Sequence, residues 1–286
     1  MERRRFGQTD LEVAPIGLGC WGVSGDWGPV DRAEALATLR RAFDLGVTFF
    51  DTADMYGRGR SEELIREALG PRRREVVIAT KGGMNFYEGE RHLDFRPTYI
   101  EFALRESLRR LGTDYVDLYQ LHNPEPRHLT DELFALLERL KASGAIRYYG
   151  VSLNSRAEGV AELAGRPVAS VQAIYNLLDQ RAARSVFPWA QQAGVAVVAR
   201  VPLASGLLTG KLTPEWTFAE GDHRRRRPRE WLVEGLAQAE RYRFLVRDGR
   251  TLAQAAIRFV LAHPAVTVTI PGAKSPRQVE ENLSAL

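Results

Sequence analysis

Phe49-Phe50-Asp51-Thr52-Ala53-Asp54-Met55-Tyr56-Gly57 is an apolar run that meets a carboxylate and a tyrosine and then breaks into loop. Val47 to Phe50 is β-branched and aromatic, as strands prefer, and Gly57-Arg58-Gly59-Arg60 does not easily extend it. Ser61 then reads as the N-cap of a helix, with Glu62 and Glu63 in its first turn and Leu64 and Ile65 on its apolar face. Asp51 and Tyr56 therefore stand at the carboxyl end of a strand. In barrels of alternating strands and helices that end carries the chemistry, because the strand fixes a residue while the loop after it stays open to ligand. Asp and Tyr at such places also serve packing and loop hydrogen bonding, so the pair gains weight only from what converges on it.

Reading outward from this stretch, strand and helix patterns alternate along the whole chain. Before it come a short hairpin, with Arg5-Phe6 and Leu11 to Val13 flanking a polar turn, then a strand over 15–20 and a helix over 32–45. The pair 47–51 and 61–69 follows, then strand 76–80 with helix 98–111, strand 116–121 with helix 130–142, and strand 146–151 with helix 156–164. Strand 169–173 with a helix near 182–193 comes next, then strand 195–199, a long loop, helices near 230–247 and 252–262, strand 266–270 and a last helix from Pro276. The strands are short and apolar on both faces, as Val76-Val77-Ile78-Ala79 shows, so both faces require cover. Eight such units predict a (β/α)₈ TIM barrel with an N-terminal β-hairpin and an extra helical segment before the last strand. An open doubly wound sheet is the alternative, but no glycine-rich fingerprint leads directly into a helix after an early strand.

Composition agrees with one domain over residues 1–286. The chain is 44% hydrophobic and has no Pro/Ser-rich linker. Cys20 is its only cysteine, which excludes an intrachain disulfide and predicts a reducing, cytoplasmic setting. No apolar stretch of signal or membrane-spanning length is present, so no membrane partner is expected. The formal charge of +4 is scattered, except in His223-Arg224-Arg225-Arg226-Arg227-Pro228-Arg229. That run lacks interleaved aromatics and any nucleic-acid module; it reads as a solvated loop, and no nucleic acid is expected as a partner.

Polar residues just past the strand ends form a specific chemical set: Asp51 and Tyr56, Lys81, His122, Ser152 and Asn154, Gln172, and Arg200. A barrel brings them to one mouth. Tyrosine is a weak acid with a pKa of about 10, and an ammonium nearby stabilises its phenolate. Lys81 fits that role toward Tyr56, with Asp51 holding the lysine, and His122 can hydrogen-bond a carbonyl oxygen against Tyr56. The expectation is a lowered Tyr56 pKa.

These residues and the motifs around them resemble the aldo-keto reductases, which reduce carbonyls with NAD(P)H on a (β/α)₈ barrel. The likeness runs through Arg3 to Thr9, Leu18-Gly19-Cys20-Trp21-Gly22, Asp51 to Gly57, Thr80-Lys81, Gln120-Leu121-His122, Gly150-Val151-Ser152, Pro202-Leu203, Gly206 to Lys211 and Ile270-Pro271-Gly272-Ala273. The resemblance implies catalytic roles for Asp51, Tyr56, Lys81 and His122, hydride transfer to a small-molecule carbonyl, and Tyr56 as proton donor. It also implies NADP(H) contacts from Trp21, Asp51, Ser152, Gln172, Arg200, Pro202, Leu203, Ser205, Lys211, Gly272, Lys274, Gln278, Glu281 and Asn282. Three positions depart from the commonest pattern: Leu153 follows Ser152 where an asparagine is usual, Arg200 stands where an aromatic stacks on the nicotinamide, and Gln278 replaces an arginine for the 2′-phosphate. Lys274, beside the helix start at Ser275-Pro276, is the expected 2′-phosphate contact, and Arg200 is expected to lie flat on the nicotinamide.

The alternative within the same fold is a regulatory subunit of the channel-associated type, and His122 argues against it because such members lack that histidine. A metal-dependent hydrolase would need a ligand cluster at the strand ends, and the five histidines form none, so no metal is expected. Trp21, Trp27, Met55, Phe86 and Tyr87 are candidate walls of a substrate pocket.

Overall fold

A strand that is apolar on both sides needs cover on both sides, and a ring of helices around a closed sheet provides it. The computed structural model describes residues 2–154 and 160–286. Two strands, β1 (Arg4–Arg5) and β2 (Glu12–Val13), form the antiparallel N-terminal hairpin. Then β3 (Leu18–Gly19), α1 (Arg32–Asp44), β4 (Phe49–Asp51), α2 (Arg60–Leu69) and β5 (Val77–Gly82) alternate. A second small hairpin, β6 (Met84–Asn85) with β7 (His92–Leu93), precedes α3 (Pro97–Leu111). The series continues with β8 (Val116–His122), α4 (Asp131–Ala142), β9 (Ile146–Ser152), β10 (Ser170–Ile174), α5 (Ala182–Ser185), α6 (Phe187–Ala193) and β11 (Ala196–Arg200). It ends with α7 (Arg229–Glu240), α8 (Leu252–Ala262), β12 (Val266–Ile270) and α9 (Pro276–Leu283).

The eight-stranded parallel sheet runs β12-β11-β10-β9-β8-β5-β4-β3, and parallel bridges Ile16 to Thr269 and Gly19 to Gly272 bring its two edges together. Glycine permits this closure: a Cβ on Gly19 would lie 2.8 Å from the Ile270 carbonyl oxygen. Inside the barrel Phe49, Val77, Leu118, Val198 and Val268 pack with Phe6, Leu11 and Val13 of the hairpin. The hairpin thus plugs the amino end and leaves the carboxyl end for the site. Phe50, on the opposite face of β4, packs outward with Leu39 and Leu64 of the helices, as period-two alternation requires.

Several local expectations change. Ser61 does not cap α2: Gly59 does, in left-handed conformation, and the buried Ser61 hydroxyl instead donates to the Cys20 carbonyl and accepts from Thr52. The helix expected over 182–193 is divided, because Pro188 has no N–H to continue the ladder and sits in the first turn of α6. The helix expected over 230–247 stops at Glu240. Beyond it Arg243–Leu245 form a 3₁₀ turn that sets Leu245 against the cluster of Leu232 and Leu252, and left-handed Asp248 and Gly249 then lead into α8. Of the helix expected over 156–164, residues 156–159 lie outside the described residues, and Ala161–Leu163 form a single 3₁₀ turn. Among the described residues no helix is long and apolar enough to cross a membrane.

Candidate active site

Each of the six side chains Asp51, Lys81, His122, Ser152, Gln172 and Arg200 comes from the last turn of pleat of a barrel strand, where hydrogen bonding on both sides fixes the backbone. Tyr56 hangs from the turn after β4, whose Tyr56 amide donates to the Ala53 carbonyl. Lys81 is fully buried, and its Nζ donates to Asp51 Oδ1 at 2.5 Å, to the Thr52 carbonyl at 2.7 Å and to the Tyr56 hydroxyl at 3.4 Å. All three ammonium protons have a destination. The other Asp51 oxygen accepts from Gln120 Nε2 at 3.1 Å and Gln172 Nε2 at 2.7 Å. His122 meets the Tyr56 ring edge-on, with centroids 5.9 Å apart, and Trp21 stacks on that ring at 5.5 Å.

Burial dominates the electrostatics. Burial pulls the Lys81 ammonium down, but the Asp51 carboxylate and the Tyr56 hydroxyl outweigh it and raise its pKa overall. Burial likewise pushes the Tyr56 phenol up, and Lys81 and Arg200 recover only part of that shift. The expected net lowering of Tyr56 is therefore reversed, since desolvating a phenolate costs more here than one long bond to an ammonium returns. Burial first, and then Lys81 and Arg200, hold His122 well below the ordinary histidine range, so its imidazole is neutral at pH 7. A neutral phenol and a neutral imidazole beside a fixed cation are equipped to donate hydrogen bonds to an oxygen that becomes negative.

The remaining sites divide into those open to a ligand and those already engaged. Gln172 holds Asp51, and its Oε1 accepts from Ser152 at 3.4 Å, so its amide is turned beneath the mouth. Arg200 Nη2 donates to the Leu153 carbonyl at 2.9 Å and lies 3.4 Å from Asn123 Oδ1. Among the described residues its Nε is buried without a partner, as is Nδ1 of His122. After β11 the chain passes Pro202 and Leu203, and Val201, Ala204, Ser205 and Gly206 all have left-handed φ. Lys211 pairs with Glu281 at 2.9 Å, and Arg277 with the same carboxylate at 3.0 Å. Near β12, Asn282 Nδ2 donates to the Gly272 carbonyl, the Lys274 amide to Gln278 Oε1, and the Gln278 amide to the capping Ser275 hydroxyl. Lys274 Nζ donates to the Trp27 carbonyl at 3.0 Å.

The basic run is the solvated loop expected from Arg225 onward, but not at its first two residues. His223 stacks on Trp21 at 4.3 Å, and Arg224 pairs with Asp222 while lying over Trp27 and Phe218. Arg225, Arg226, Arg227, Pro228 and Arg229 remain on the surface. Two of the candidate pocket walls also serve packing: Phe86 is buried against Tyr87, whose hydroxyl accepts from Arg110 at 2.6 Å. Sequence reasoning missed Asp26, Gln120 and His223. Gln120 precedes His122 by one pleat and was recoverable from alternation; nothing local marks the other two.

The family model described as the aldo/keto reductase family matches residues 15–286. The chain is 35% identical over 285 residues to the NADP(+) aldo-keto reductase yakc of Schizosaccharomyces pombe, covering 96% of this chain and 84% of that one. It is 32% identical over 305 residues to L-glyceraldehyde 3-phosphate reductase of Escherichia coli, covering 100% and 88%. Among solved structures, an aldo-keto reductase of Bacillus halodurans in its holo form superposes with a TM-score of 0.84 at 33% identity, over 100% of this chain and 90% of that chain.

Proposed function

The chain belongs to the aldo/keto reductase family, and we propose that it reduces an aldehyde or ketone to the alcohol with NADP(H), Tyr56 supplying the proton. The observation that carries the reading is the buried chain Asp51–Lys81–Tyr56, with His122 against the phenol. Neutral His122 donates a hydrogen bond to the substrate carbonyl oxygen and holds it beside the Tyr56 hydroxyl. As negative charge grows on that oxygen, Tyr56 passes its proton across, and Lys81 stabilises the phenolate left behind. Asp51 keeps the ammonium aimed at Tyr56, and Gln120 and Gln172 keep Asp51 aimed at Lys81. When bound, the reduced nicotinamide supplies the hydride that the carbonyl carbon receives.

The residues fit such a cofactor. Arg200 Nε is a buried donor awaiting an acceptor, and its guanidinium, anchored on Leu153, is planar and suited to stack on a ring. Lys274 uses one of three ammonium protons on Trp27, which leaves two for a phosphate, and α9 starts next to it with its positive end. No acidic side chain stands between Gly272 and Gln278 to repel a 2′-phosphate. The substrate is a small carbonyl compound.

Tyr56→Phe keeps the ring and removes the acidic proton. The expected result is a fall of about 10²- to 10⁴-fold in kcat with NADPH binding intact. A variant that still reduced an aldehyde within a few-fold of wild type would overturn the assignment.

A further inference from the structure

Asp26 takes no part in the chemistry described above, yet three segments of the mouth meet on it. Its Oδ2 accepts from the Trp21 indole Nε1 at 2.8 Å and from the Gly57 amide at 2.9 Å, and the Ser24 hydroxyl, 2.9 Å away, divides its one proton between this oxygen and the Trp21 carbonyl at 2.7 Å. Its carbonyl accepts from the His223 amide at 2.9 Å, and His223 Nδ1 faces the same oxygen at 3.0 Å. Gly57 directly follows Tyr56, and its φ is +57°. A Cβ there would lie 2.9 Å from the Ser24 carbonyl oxygen, so the turn that carries Tyr56 rests backbone to backbone on the loop that carries Asp26.

The Tyr56 hydroxyl itself is held loosely, by a bond of 3.4 Å to Lys81. Its place is therefore set by what grips the ring and the turn. Trp21 lies within 17° of parallel to that ring, and the indole N–H that fixes the orientation of Trp21 ends on Asp26. We propose that Asp26 is the positioning residue of this active site: through Trp21 and the Gly57 amide it holds the Tyr56 phenol in line with Lys81 and His122. A carboxylate suits the place because one oxygen accepts the Trp21 indole N–H and the Gly57 amide together, which a neutral amide oxygen does less strongly. The proposal rests on Tyr56 being the proton donor.

The test compares Asp26→Ala and Asp26→Asn with wild type in kcat and KM for an aldehyde at saturating NADPH. Circular dichroism gives the folded fraction, and quenching of protein fluorescence gives NADPH affinity. Because displacement by a fraction of an ångström is costly in a preorganised site, kcat of folded Asp26→Ala should fall about 10- to 100-fold, and NADPH affinity should change less than about threefold. In a Trp21→Phe background the indole N–H is already gone, so the same substitution should cost at most about a third of that factor. A folded Asp26→Ala enzyme within about threefold of wild-type kcat, or an equal fall in both backgrounds, overturns the proposal. If the alanine variant does not fold, Asp26→Leu, of nearly the same shape but with no acceptor, decides by the same limits. Tyr56→Phe is assayed alongside: wild-type activity there sinks the donor assignment, whereas an inactive Tyr56→Phe with an unimpaired Asp26→Ala sinks positioning alone.

Discussion

Replacing Lys81 with methionine keeps most of the side-chain volume and removes the charge from a place where it has no substitute. Lys81 and Asp51 have side-chain exposures of 1% and 3% and are 2.5 Å apart. Without the ammonium, the Asp51 carboxylate stays buried with only the Gln120 and Gln172 amides for company. Removing one member of a buried pair costs about 3–5 kcal/mol, and the two retained donors favour the lower end of that range. At about 2–4 °C per kcal/mol, a loss of about 3 kcal/mol lowers Tm by about 6–12 °C. Asp51→Asn should cost a similar amount, because the amide oxygen that remains carries no charge to balance the buried Lys81 ammonium. The double variant buries no net charge, so its loss should fall short of the sum of the singles by about 1–3 kcal/mol. Activity should not recover with it, since Tyr56 then has burial pushing its pKa up and no Lys81 to oppose it. Thermal unfolding by circular dichroism and steady-state reduction of an aldehyde give both answers. Additive losses of stability, or a single Lys81→Met variant within about 1 kcal/mol of wild type, would refute the reasoning.

Three further outcomes follow from the same geometry. Arg200→Phe should reduce the preference for reduced over oxidised cofactor, because a stacked guanidinium disfavours the cationic oxidised ring; an unchanged ratio of dissociation constants counts against stacking. Lys274→Ala should lower the ratio of kcat/KM for NADPH over NADH by about tenfold, the worth of roughly 1.4 kcal/mol, and a ratio near one in wild type would remove the 2′-phosphate assignment. Asp54 is fully buried with neither carboxylate oxygen bonded among the described residues, and burial, with Glu62 adding to it, pushes its pKa well up. The folded chain therefore keeps a proton that the unfolded chain releases above about pH 3.9, so this group loses stability as pH rises from there toward its folded pKa, by at most about 1.4 kcal/mol per pH unit. Asp54→Asn should stand progressively above wild type in Tm between pH 5 and 8; parallel curves would show Asp54 ionised in the fold.

The barrel and the convergence of Asp51, Tyr56, Lys81 and His122 were legible because both depend on local information. Strand-forming runs with breakers mark where each strand ends, and parallel closure carries those ends to one mouth whatever the helices between them do. The break at Pro188 is equally local, although the helix expected over 182–193 runs through it. What residues do after they meet is not local. Whether the Tyr56 pKa rises or falls is decided by how much protein covers it, and burial overrode a neighbouring ammonium that was correctly anticipated. Gln172, read as a cofactor contact, also donates to Asp51, 121 positions away, which no local pattern announces. Ser61, with every mark of a cap, was taken by the Cys20 carbonyl, and a left-handed glycine opened the helix instead. Asp26 and His223, 197 positions apart, have no pattern that announces a contact; only the folded chain puts one against the other over Trp21. Period and punctuation determine where a side chain begins, but hydrogen-bond partners and desolvation belong to the assembled surroundings, so these were decided by tertiary structure alone.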